Sequence, residues 1–189
     1  MVRPIVTATA ALLTVLTGAR ADIDLTPIDS YYVVEGFRSP NLNFHDDGKV
    51  ISYSPPPRWK PGGTGKKATL LPPDMPQASA SIEALPANDP LPATDQNLKA
   101  YSDFAVKLLP REASKVEVTE AIISSFRVCG YAMAQVTVTY TFFGQEYKTV
   151  TFFMPRLKEQ IRFQLSCRTA DFKTIYRPFE RSLFSIQGF

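Results

Sequence analysis

The chain has one histidine, His45, and two cysteines, Cys129 and Cys167. Any Ser-His-Asp or Cys-His chemistry must therefore run through His45. It stands beside Asp46 and Asp47 at a turn signal, and no G-x-S-x-G elbow occurs anywhere to present a nucleophilic serine. Cys129 lacks a base unless His45 folds against it. Two ligand types meet at His45-Asp46-Asp47, but consecutive residues in a tight turn do not converge on one ion. The H-x-x-x-H, paired C-x-x-C and acidic calcium-loop spacings are absent. Gly62-Gly-Thr-Gly-Lys-Lys67 superficially resembles a phosphate loop. That loop needs Gly where Lys60 stands and Ser or Thr where Lys67 stands, so the match fails twice. Glycoside cleavage needs two acids facing a groove. Glu83 falls among serines, and Glu117 and Glu120 belong to a stretch that is otherwise apolar. The expectation is a protein that is not an enzyme, with no catalytic residue, no cofactor and no metal.

What must position these residues begins after a leader. Met1-Val-Arg-Pro opens the chain, an apolar run spans Ile5 to Leu16, and Ala19 and Ala21 supply a small-x-small cleavage site. This reads as a secretion signal over 1–21, cut before Asp22. The run is shorter than the roughly 20 residues a membrane span needs. No second long apolar run follows, so the processed protein is expected not to be an integral membrane protein, and its location to be periplasmic or secreted. Cleavage leaves 168 of 189 residues, enough for a single domain at 22–189. Arg3 and Arg20 leave, all 18 acidic residues stay, and the net charge falls from +3 to about +1. Lys66-Lys67 is an isolated basic pair, so nucleic acid is not an expected partner.

Asp47-Gly48 between short apolar runs marks a hairpin. Pro55–Pro57 ends the second of its strands, and Pro61 to Gly65 reads as a flexible loop. From Gln77 to Leu85, Ala78, Ala80, Ile82 and Ala84 alternate with Ser79, Ser81 and Glu83, which is a strand. Thr94 caps a helix over 95–109, carried by Leu98, Tyr101, Phe104, Ala105 and Leu108 and stopped by Pro110. An antiparallel meander follows, with strands predicted over Val116–Val128, Ala132–Phe142 and Val150–Met154. A longer turn is expected over Pro155–Gln160, then a strand over Ile161–Cys167. The meander is expected to have one buried and one wet face. Asp171 caps a last helix over 172–184, with Pro178 near a restart after a short first turn. The fold class is α+β: a twisted antiparallel sheet with helices packed on it. Cys129 enters one strand of the meander and Cys167 leaves another running in the same direction. At ~3.3 Å per residue they lie some 25–35 Å apart, well beyond the ~7 Å a disulfide tolerates. Both are expected to be unpaired, with Cys167 in the core.

The early hairpin, Tyr53-Ser-Pro-Pro-Pro-Arg-Trp59, the small-residue strand at Ala78–Ala84, the helix, the long meander and the terminal Ile175-Tyr-Arg-Pro-Phe-Glu-Arg-Ser-Leu-Phe-Ser185 together resemble the PsbP-like fold. That fold is shared by the extrinsic photosystem protein, a Ran-binding nuclear protein and exported bacterial proteins of unknown role. The likeness covers about residues 31–187 and departs at the triple Pro55–Pro57 and in its short loops. It implies packing roles for Trp59, Phe179 and Ser185, and an accessory or binding role that is usually non-catalytic. Fold alone carries little functional warrant.

The wet face of the meander reads as threonine-rich: Thr137, Thr139, Thr141, Thr149 and Thr151, joined by Tyr131, Met133 and Tyr147. Tyr131, Met133, Thr137, Thr139 and Tyr147 are the candidate contact surface for a partner. The partner is expected to be an unidentified protein. The alternative is a small apolar ligand held between sheet and helices, for which a Phe- and Leu-lined pocket above ~300 Å³ is the signature. A hydrolase centred on His45 is the third reading.

Overall fold

The structure is a computed structural model that describes residues 23–189; the secretion signal expected over 1–21 lies outside the described residues. Three strands, β1 (Ile23–Val34), β2 (Phe37–Asp46) and β3 (Lys49–Tyr53), form a small antiparallel sheet in chain order. Seven more form a large antiparallel sheet: β4 (Lys60–Thr64), β5 (Lys67–Leu71), β6 (Ser79–Pro86), β7 (Ser114–Ile123), β8 (Ala134–Phe142), β9 (Gln145–Arg156) and β10 (Glu159–Arg168). Their order is β4-β5-β6-β10-β9-β8-β7. Two helices, α1 (Leu98–Lys107) and α2 (Phe172–Leu183), complete an α+β domain.

The two helices lie on opposite faces of the large sheet. Ala134 pairs with Phe153 across β8 and β9, and with Val136 and Val138 they pack under Tyr101 and Ala105 of α1. Val150, Phe152 and Met154 alternate with these along β9 and so point the other way. There they join Phe163 and Leu165 beneath Ile175, Phe179 and Leu183 of α2 and the inner side chains of the small sheet, Leu42, Phe44, Ile51 and Tyr53. Trp59 stacks on Phe179 with ring centroids 6.4 Å apart and planes 6° from parallel. The Ser185 hydroxyl accepts from the Ser54 amide at 2.9 Å. All three residues thus hold packing positions, as the resemblance implied.

The meander differs from the sequence expectation in several places. Its middle strands are buried on both faces, because each helix takes one. β7 stops at Ile123 and carries two register shifts, after Ser114 and after Val118. As an edge strand with bulges it leaves Val116, Val118 and Ile122 about 40% exposed, while Val128, beyond it, enters the α2-side core. β9 and β10 join through Leu157 and Lys158 alone, a much tighter turn than expected. The glycine stretch is strand β4: a Cβ on Gly63 would stand 2.2 Å from the Lys67 carbonyl, so glycine is what lets β5 close on it. α2 runs unbroken through Pro178, whose ring is exposed alongside Thr174, the residue whose carbonyl loses its helical donor. Thr94 caps a single 3-10 turn, Asp95–Asn97, that leads into α1, and Asp171 stands at the N-cap of α2; neither makes a side-chain cap hydrogen bond. Cys129 is exposed, Cys167 is buried, and both thiols are free.

Candidate functional site

The proposed contact residues do not form one surface. Met133 is fully buried in the α2-side core, Tyr131 packs half-buried against it, and Thr137 is 4% exposed with its hydroxyl donating to the Glu120 carboxylate at 3.2 Å. Thr139 shares the face of Thr137. Tyr147, opposite Tyr140, lies on the other face and donates to the Gln77 side chain at 2.9 Å. Thr149 and Thr151 also stand on that other face, opposite Val138 and Val136, and are buried. The turn between β8 and β9 sets this register. An alternation counted along each strand separately does not show which threonines share a side.

His45 is exposed on β2, opposite Asp24 on one side and Val50 on the other. Among the described residues no hydrogen bond joins it to a serine or a cysteine; the Cys129 thiol instead donates to the Ile186 carbonyl at 3.4 Å. The Asp24 carboxyl is held below the usual range, first by the Thr26 hydroxyl and amide and, less, by the nearby His45. Asp46 turns inward, away from His45, to pair with Arg156. Neighbouring residues of the triplet therefore point apart. No group of three metal-ligating side chains occurs among the described residues.

Two of the clefts among the described residues bear on binding. One, about 310 Å³, has a wall of Pro56, Pro57, Pro72, Pro73 and Pro178, with Trp59 at its floor. The other, about 340 Å³, is lined by Tyr32, Asn41, Ser52, Ser54, Ser185 and Gln187. Both reach the size set for a carrier, and neither is lined by Phe and Leu. The second cleft is built on the outer face of the small sheet. Strand alternation that sends Leu42, Phe44, Ile51 and Tyr53 inward sends Asn41, Asn43, Ser52 and Ser54 outward. Past β3 the chain end adds a further strand segment: the Ser52 and Gln187 backbones exchange hydrogen bonds of 2.9 and 3.0 Å. The floor is thus three strands and a bridge wide, with Tyr32 at one margin and Gln187 at the other. Asn41 donates to Asn43 at 3.1 Å and accepts from the Ser54 hydroxyl at 3.2 Å, which fixes its amide.

No family model matches the chain, and no curated protein matches it. Solved structures do. Cyanobacterial PsbP from Synechocystis is 13% identical, with 92% of this chain and 96% of that one covered and a TM-score of 0.46. A Pseudomonas aeruginosa protein of unknown function is 12% identical over 83% and 94%, also with a TM-score of 0.46. A Bacteroides thetaiotaomicron structure is 12% identical with a TM-score of 0.44; this chain covers 74% of itself and 45% of that one. One of these structures, cyanobacterial PsbP, carries the fold that the sequence resembles. The α+β architecture stands on the strands and helices of this chain itself. No helix among the described residues is long and apolar enough to cross a membrane.

Above the cleft, the β1–β2 ribbon continues outward. Ile28, Tyr31, Tyr32 and Val33 are 45%, 56%, 45% and 58% exposed, and the Arg38 guanidinium lies 4.5 Å from the Tyr31 ring centroid. Successive residues Tyr31 and Tyr32 face opposite sides, so the ribbon is apolar on both. Sequence reasoning missed this region. The signal for the cleft was present in Ser39-Pro-Asn-Leu-Asn-Phe44, where polar and apolar residues alternate next to the Asp47-Gly48 turn.

Proposed function

We propose that this chain is an exported, non-catalytic binding protein that engages a macromolecular partner through the β1–β2 ribbon and the cleft at its base. One observation carries the reading: a two-stranded ribbon exposes tyrosine and branched aliphatic side chains on both faces. An isolated hairpin is marginal in water, and exposed apolar area flanked by Tyr and Arg has the composition of an interface core. Export is supported by the leader pattern at 1–21. A photo-crosslinking residue at position 33, in protein exported by its native host, is expected to give a discrete adduct. The comparably exposed position 104, on α1, is expected to give none. The same adducts from both positions, or none from position 33, would overturn the reading.

A further inference from the structure

We infer that the cleft between Tyr32 and Gln187 binds a neutral saccharide unit of an extracytoplasmic glycan. This inference deepens the binding-protein reading and rests on it. Six residues line the cleft, and none is charged: one phenol, two amides and three hydroxyls. Such a set offers donors and acceptors in mixed order, which suits a ligand whose own groups are both donors and acceptors. It offers nothing to neutralise a phosphate or a carboxylate.

Much of its hydrogen-bonding capacity is unspent. Among the described residues the Ser52 hydroxyl, the Gln187 amide and the Tyr32 hydroxyl make no hydrogen bond within the chain, whereas Asn41 and Ser54 are locked to each other and to Asn43 and Ser185. One fixed amide at Asn41, free groups at Ser52, Gln187 and Tyr32, and the aromatic ring of Tyr32 at the lip make a partly preorganised site. The ring of Tyr32 supplies an apolar face for the C–H side of a sugar. An extended peptide is disfavoured at the β3 margin of the cleft. Peptides docked on sheets draw on unpaired edge backbone, and here the backbone of β3 is already paired with β2 and with Gln187.

The test titrates the exported, processed protein with three neutral trisaccharides (maltotriose, mannotriose and chitotriose), followed by amide chemical shifts and calorimetry. At least one is expected to bind and to move the resonances of Asn41, Ser52 and Gln187. Tyr32→Ala and Asn41→Ala should each weaken binding about tenfold, the equivalent of about 1.4 kcal/mol. Phe104→Ala should leave it unchanged. The near-UV spectrum of each variant checks that it is folded. Saturation by none of the three, shifts elsewhere on the surface, tighter binding of a neutral tripeptide, or binding only of a sulfated oligosaccharide with strong salt dependence would each overturn the inference. If the saccharides fail while position 33 still crosslinks a partner, the inference falls alone. If both fail, the binding-protein reading falls with it.

Discussion

Removing the Asp46 carboxylate should loosen the small sheet from the large one. Asp46 ends β2 and Arg156 ends β9, and their side chains are only 6% and 9% exposed. Breaking a buried pair by deleting one partner costs roughly 3–5 kcal/mol, because the remaining charge stays in low dielectric without compensation. Here Arg156 keeps a second acid, Glu159, at 3.3 Å, and its guanidinium lies 5.7 Å from the Phe189 ring centroid. The lower end of the range applies, so Asp46→Ala should cost about 3 kcal/mol. At about 2–4 °C per kcal/mol for a domain of this size, the midpoint of thermal unfolding should fall by about 6–12 °C. Replacing the pair together, as Asp46→Leu with Arg156→Met, removes both desolvation penalties and should cost less than the sum of the two single changes by about 2 kcal/mol. Urea unfolding of the parent, both single variants and the double variant measures this coupling. A cost below about 0.5 kcal/mol for Asp46→Ala, the range of ordinary surface substitutions, or strict additivity in the cycle, would refute the clasp.

Further outcomes follow from the same structure. In the native protein a thiol reagent should label Cys129 at once and Cys167 only after unfolding. Burial and, next, the Asp171 carboxylate push the Cys167 thiol up to about 12, so the unfolded state loses that proton first. Stability should then fall as pH rises above about 8.5, by about 1.4 kcal/mol per pH unit for this one group, and Cys167→Ala should flatten that slope. Trp59→Ala should cost about 3–5 kcal/mol through the lost stack on Phe179, read as a lower urea midpoint at unchanged slope. Burial, ahead of the opposing pull of Lys66 and Arg156, raises the Glu159 carboxyl above its usual range. The folded state therefore holds this proton longer than the unfolded state, and the group detracts from stability once pH has risen through its folded value; Glu159→Gln should remove that part of the pH dependence. Gly48→Ala should cost about 1 kcal/mol from its φ of +76° alone, since a Cβ there meets nothing within 4 Å.

The sequence made the strands legible and left their partners largely hidden. Ala78, Ala80, Ile82 and Ala84 alternate as read and are all buried, because the period of a strand is local. The sign of the second face is not local. Thr149 and Thr151 look like wet-face residues until β8 is laid beside β9, where they sit opposite Val138 and Val136. Likewise Val116, Val118 and Ile122 carry a core pattern on a strand that turned out to be an edge, where bulges shift the phase and leave these three about 40% exposed while Ala121 and Ile123 pack toward α1. Proline misled in two directions. Pro178 did not interrupt α2, since its lost hydrogen bond falls on the solvent side, and Pro155 sits inside β9 instead of starting a longer turn. Both thiols are free as read, although Cys129 sits in a turn at φ +49° ahead of β8 and not at the entry of a strand.

The cleft and the core of this protein are two consequences of one register. In the small sheet each inward residue is matched by an outward neighbour: Leu42 by Asn41 and Asn43, Ile51 and Tyr53 by Ser52 and Ser54. Slipping β3 by one residue against β2 would send Ser52 into the core and Ile51 into solvent, so the hydrophobic core holds the polar floor in place at no added cost in strain. The Asp47-Gly48 turn, with φ of +46° and +76°, fixes that register at one end, and the Ser52–Gln187 bridge fixes it at the margin of the cleft. His45 obeys the same alternation: it is exposed because Phe44 and Asp46 are buried. Its position next to two acids in the sequence is thus a by-product of packing, and the side chains that the fold brings together around the cleft are the uncharged ones on the same outer face.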